Sequence, residues 1–94
     1  MEGRFEFMQH FIALGFIKVS PWNLRKKQAN GWDRVNVYFD PEYFTAMITV
    51  NGESMKIRLF YEQFKDAPTA YNVLREYFRS CFIKSVENKL NEIL

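Results

Sequence analysis

Residues 34–60, RVNVYFDPEYFTAMITVNGESMKIRLF, decide how this chain folds. Val35, Val37 and Phe39 alternate with Asn36 and Tyr38. Phe44, Ala46, Ile48 and Val50 alternate with Tyr43, Thr45, Met47 and Thr49, and Met55, Ile57 and Leu59 alternate with Lys56, Arg58 and Phe60. A period of two in β-branched and aromatic residues marks half-buried strands. Asn51-Gly52 is the strongest short hairpin signal and joins the second of these strands to the third. Asp40-Pro41-Glu42 joins the first to the second, with Pro41 suited to the second position of a turn. Two-residue turns at both places set Phe39 against Phe44, Val37 against Ala46, Ile48 against Met55, Ala46 against Ile57 and Phe44 against Leu59. The aliphatic set then shares one face, an agreement that a slip of one residue would destroy and a slip of two would keep, so the pattern fixes the faces and leaves the exact register open.

Working outward, Phe5, Phe7, Met8, Phe11, Ile12 and Leu14 fill one half of a helical wheel, and Glu6, Gln9, His10 and Ala13 fill the other. Gly15 stands where a left-handed cap closes that helix, with Phe16 folding back on its last turn. Phe16 to Val19 reads as extended, and Ser20-Pro21 ends it. Residues 20–33, SPWNLRKKQANGWD, read as a long basic loop with a tryptophan near each end. Asp66 is the expected N-cap of a long final helix. Ala70, Leu74, Tyr77, Phe78 and Cys81 share one direction on it, while Phe82, Val86, Leu90 and Ile93 lie roughly 120° round the axis. Either the helix kinks near residues 82–84, or its last turns leave the sheet and pack on the first helix or on a second copy of the chain.

The expected fold is a single α+β domain over residues 1–94, in α-β-β-β-α order. An antiparallel three-stranded sheet carries the N-terminal helix and the long C-terminal helix on one face. This order resembles that of double-stranded RNA-binding domains, which start their last helix with a lysine-rich phosphate contact. Here that position reads Lys65-Asp66-Ala67-Pro68-Thr69, one lysine beside an aspartate, so no functional residue carries over.

Composition narrows the function classes. The 94 residues are 48% hydrophobic and 26% charged, outside the regime of disorder, and the 18% aromatic content lets rings supply a core for so short a chain. One Cys and one His exclude an internal disulfide and a zinc site of soft ligands. His10 falls on the polar side of its helix without a catalytic partner. Cys81 falls on an apolar face and reads as packing. The acidic residues form no pair suited to a hard metal or a shared proton, and there is no glycine-rich phosphate loop. We therefore expect no enzyme, no cofactor and no metal. The longest apolar run, Phe11 to Ile17, falls far short of the ~20 residues that span a bilayer, so no membrane partner and a cytoplasmic location are expected.

Two binding readings remain. The outward face of the sheet should carry Tyr38, Tyr43, Met47, Lys56, Arg58 and Phe60, more apolar and aromatic than a solvated face requires. The 20–33 loop could cover it with Trp22 or Trp32. Uncovered, it suits a protein interface through Tyr43, Met47 and Phe60, joined by the rotated helix positions Phe82, Val86, Leu90 and Ile93. The leading expectation is such association, as a homodimer or as an accessory subunit or inhibitor on a larger partner. The alternative is nucleic acid, bound by Trp22, Arg25, Lys26, Lys27, Trp32, Tyr38, Lys56 and Arg58. Charge bears on it. Lys18, Arg25, Lys26, Lys27 and Arg34 against Asp33 give residues 18–34 a net +4, whereas eight basic and ten acidic residues leave the remainder at −2.

Overall fold

A computed structural model describes residues 3–27, 34–50 and 52–93, with the backbone alone for Ser85 and residues 88–93. Helix α1 (Arg4–Ala13) leads into strands β1 (Ile17–Ser20), β2 (Asn23–Lys27), β3 (Arg34–Phe39), β4 (Tyr43–Val50) and β5 (Glu53–Phe60). A 3-10 turn at Tyr61–Gln63 precedes helix α2 (Ala67–Ile93). All strand pairs are antiparallel, and the sheet runs β1-β2-β3-β4-β5 in chain order.

The sheet has five strands, not three. The residues read as a loop contain β2, whose Asn23, Leu24, Arg25, Lys26 and Lys27 pair with Tyr38, Val37, Asn36, Val35 and Arg34. One apolar residue in five gives no alternation to read. The strand forms because β3 buries Val35 and Val37 and needs a hydrogen-bonding neighbour on that side. β1 then pairs with β2 through Ile17↔Arg25 and Lys18↔Leu24, with a bulge before Ser20↔Asn23. With these two strands in front, the likeness to double-stranded RNA-binding domains does not extend to the sheet.

The registers of β3, β4 and β5 follow the alternation, with Phe39↔Phe44, Val37↔Ala46, Ile48↔Met55, Ala46↔Ile57 and Phe44↔Leu59. Val50↔Glu53 closes the last hairpin in two residues. Gly52 takes φ +83°, the left-handed conformation such a turn requires, and Asn51 lies outside the described residues. Gly15, at φ +100°, ends α1 in a Schellman cap. Phe16 N–H donates to Phe11 O at 3.2 Å and Gly15 N–H to Ile12 O at 3.0 Å.

Both helices cover one face of the sheet. Leu24, Val35, Val37, Phe39, Phe44, Ala46, Ile48, Val50 and Leu59 meet Phe7, Met8 and Phe11 of α1 and Ala70, Leu74, Phe78 and Cys81 of α2. Phe11 is the hub, with ring centroids 5.3 Å from Phe16, 5.5 Å from Phe39 and Phe44, and 5.3 Å from Tyr71. Phe5, grouped with the apolar half of α1 by its wheel position, is 57% exposed, because the sheet reaches only the arc of Phe7, Met8 and Phe11. α2 is one unbroken helix through residues 82–84. Phe82 still packs against the core, but Ile83 and Val86 are exposed. From Phe82 to Ile93 the helix continues for roughly 18 Å at 1.5 Å per residue, within a molecule 49 Å in its longest dimension. Among the described residues no helix is long and apolar enough to cross a membrane.

Candidate functional site

The face of the sheet away from the helices is set by register. Reading across the strands, one row is Lys27, Arg34, Thr49 and Ser54. The next is Ile17, Arg25, Asn36, Met47 and Lys56, then Asn23, Tyr38, Thr45 and Arg58, and last Tyr43 and Phe60. No aspartate or glutamate stands at any of these positions, whereas Arg25, Lys27, Arg34, Lys56 and Arg58 do. The cations form two flanks. Arg25, Lys27 and Arg34 lie on β2 and β3, and Lys56 and Arg58 lie on β5. Between them runs a neutral lane of Asn36, Tyr38, Thr45, Met47 and Thr49. The outermost cationic strands, β2 and β5, are three strand spacings apart, roughly 14 Å.

Local contacts fix several of these side chains. Arg25 Nε donates to Asn36 Oδ1 at 3.4 Å, holding a half-buried guanidinium beside the lane. Arg58 Cζ lies 4.2 Å from the centroid of Tyr43, so the cation caps the ring's electron-rich face. Tyr43 and Phe60, directly opposite on β4 and β5, have centroids 5.4 Å apart at 58°. Tyr38 and Phe60 are 42% and 36% exposed. An open hollow lies on each flank. One, of about 390 Å³, is lined by Gly15, Ile17, Val19, Arg25, Lys26 and Lys27. The other, of about 350 Å³, is lined by Thr45, Lys56, Ile57 and Arg58.

The chain matches no family model, no curated protein and no solved structure. What it binds has to be argued from this face and from α2.

The structure brings together Arg25, Lys27, Tyr38, Tyr43, Met47, Lys56, Arg58 and Phe60 on the outward face. It sends two other candidates elsewhere. Lys26, opposite Val35, projects to the helix side, where Nζ donates to Leu14 O at 2.9 Å and sits 5.5 Å from the Phe16 ring centroid. There it satisfies a carbonyl at the end of α1, where the helix dipole favours a cation. Trp22 packs against the core, with the Arg4 guanidinium 3.6 Å from its ring centroid. Arg4 Nε in turn donates to Phe39 O at 2.9 Å, which fixes this stack to the end of β3. Trp32 lies outside the described residues, as do the side chains of Leu90 and Ile93. Arg34 was missed as a candidate. Extending the β3 alternation by one residue places it outward, and that signal was available.

Among the described residues no group of three or more His, Cys, Asp and Glu could hold a metal. The outward face offers hydrogen-bond donors, positive charge and aromatic rings. Those are the means of holding an anionic polymer.

Proposed function

We propose that this protein binds nucleic acid on the open face of its sheet. The observation that carries the reading is the one-signed charge of that face among the described residues: five cations, Arg25, Lys27, Arg34, Lys56 and Arg58, and no carboxylate at an outward strand position. The chain as a whole has a net charge of only +2, so this is segregation of charge and not a generally basic protein. A cationic surface of this kind attracts a polyphosphate by releasing its counterions, and each phosphate neutralised contributes about 0.7–0.9 to the salt slope of the affinity.

The test is fluorescence anisotropy of labelled oligonucleotides over a range of salt. Replacing Arg25, Lys27 and Arg34 together by alanine is expected to weaken binding at all sequences and to flatten the log–log salt slope by about two. Lys26→Met, in the same basic run but facing α1, is expected to leave both unchanged. An unaltered slope in the triple variant overturns the proposal, and so does binding to phosphatidylserine vesicles with none to oligonucleotides.

A second reading, association with another copy of the chain, has its support in α2. Past Cys81 that helix holds Ile83 at 48% and Val86 at 38% exposure, more than a helix finished by its own core requires.

A further inference from the structure

We infer that the ligand of the open face is a single strand with unpaired bases, held by stacking on Tyr38 and on the corner formed by Tyr43, Arg58 and Phe60. This rests on the nucleic-acid reading and specifies which form of nucleic acid fits.

A duplex keeps the faces of its bases inside the stack. It would meet this sheet with phosphates, sugars and groove edges, and exposed rings at the middle of the contact would gain little from it. A single strand offers a π-face from every base, and stacking on aromatic side chains is tolerant of sequence. The rings here stand where bases, and not phosphates, would lie. Tyr38 belongs to the neutral lane, and Phe60 ends the row beyond Arg58. Both keep much of their surface open.

The Tyr43 corner is already assembled. Arg58 is held over the Tyr43 ring and Phe60 is set against the same ring, so both stacking groups have little freedom left to lose on binding. Arg58 can offer its planar guanidinium to a base and its charge to the adjoining phosphate. Tyr38 on β3 and Phe60 on β5 are two strand spacings apart across the sheet and two residues apart along it, roughly 12 Å, within reach of one short strand. A strand crossing from one platform to the other has Arg25, Lys27, Arg34 and Lys56 along one side, in the two adjoining rows of the sheet.

The probes are an oligothymidylate of about 12 nucleotides, an abasic oligomer of the same length and charge, and a duplex of matched phosphate number. Each is titrated by anisotropy against the full chain. The oligothymidylate is expected to bind at least tenfold more tightly than the other two. Tyr38→Ala and Phe60→Ala are each expected to weaken it about five- to tenfold while leaving the abasic oligomer unchanged. Phe60→Leu keeps apolar bulk without a ring, and it is expected to lose affinity like Phe60→Ala at a melting temperature nearer wild type. If the abasic oligomer and the duplex bind as tightly as the oligothymidylate, stacking is overturned and the nucleic-acid reading stands. If Tyr38→Ala, Phe60→Ala and Phe60→Leu lower stability without altering affinity, the rings serve the sheet alone and the inference falls. If none of the three probes binds, the nucleic-acid reading itself falls.

Discussion

Arg25, Lys26 and Lys27 are consecutive in the chain and do unlike work. Arg25 and Lys27 project from the open face, while Lys26 crosses to the helix side and holds the end of α1 through Leu14 O. Tyr61 shows the same precision at the opposite edge of the core. Its hydroxyl donates to Asp40 O at 2.6 Å and its ring meets Phe7 edge-on at 5.0 Å and stacks on Phe44 at 6.1 Å. Burial pushes the phenol well above its ordinary value of 10.0, Arg4 pulls it down, and Asp40 adds to the rise. The neutral form is therefore favoured in the folded state. Its contribution to stability is present below pH 10 and is lost as pH climbs from there toward the raised folded value. Tyr61→Phe leaves the Asp40 carbonyl without this donor and is expected to cost about 1 kcal/mol near pH 7. Urea melts should also show the variant losing less stability than wild type above pH 10. Equal alkaline losses in the two proteins would refute this assignment.

Among the elements, α2 starts where its sequence says it should. Asp66 Oδ1 accepts from Thr69 N–H at 2.9 Å and from the Thr69 hydroxyl at 2.5 Å. The hydroxyl first, and then the N–H, hold the carboxyl below the usual carboxylate range. That stabilisation is present above the ordinary value of 3.8 and is lost as pH falls through the lowered one. Asp66→Asn keeps a capping oxygen without the charge. We expect it to melt like wild type near pH 7 but to lose less than wild type on acidification below pH 4, as followed by circular dichroism. Strands β3, β4 and β5 were as legible as this cap, because each buries one face and exposes the other. β2 was not. Its inward positions hold Leu24 and Lys26, and a lysine that caps a helix looks in sequence like a solvated charge. Missing that strand meant that Arg25 and Lys27 were legible as charge but not as members of a face. It also left Trp22 and Lys26 indistinguishable from them.

For the molecule as a whole, the long helix is the feature that the sheet does not account for. If α2 joins a second copy past Cys81, wild type should sediment well above the 11.3 kDa of one chain. Val86→Asp, at an exposed position, should return it to that mass with its fold intact. A wild type that is already monomeric at high concentration would end the idea. The rotation of apolar positions at Phe82 and Val86 was visible from the sequence. Whether it meant a kink or a departure from the sheet was not, since that depends on how far the strands reach beneath the helix.

The order of the sheet has a consequence for how the protein is made. Every strand pairs with its neighbour in the chain, so each hairpin can close as soon as its second strand leaves the ribosome, with no distant segment to wait for. The cover of the apolar face is different. Phe7 and Phe11 of α1 are already in place to cover Phe44, but Leu74, Phe78 and Cys81 follow all five strands, so the part of the face beneath α2 stays wet in the nascent chain until that helix emerges. During that interval the growing polypeptide is a sticky half-sandwich, and the pace of translation through α2 sets how long a chaperone has to shield it.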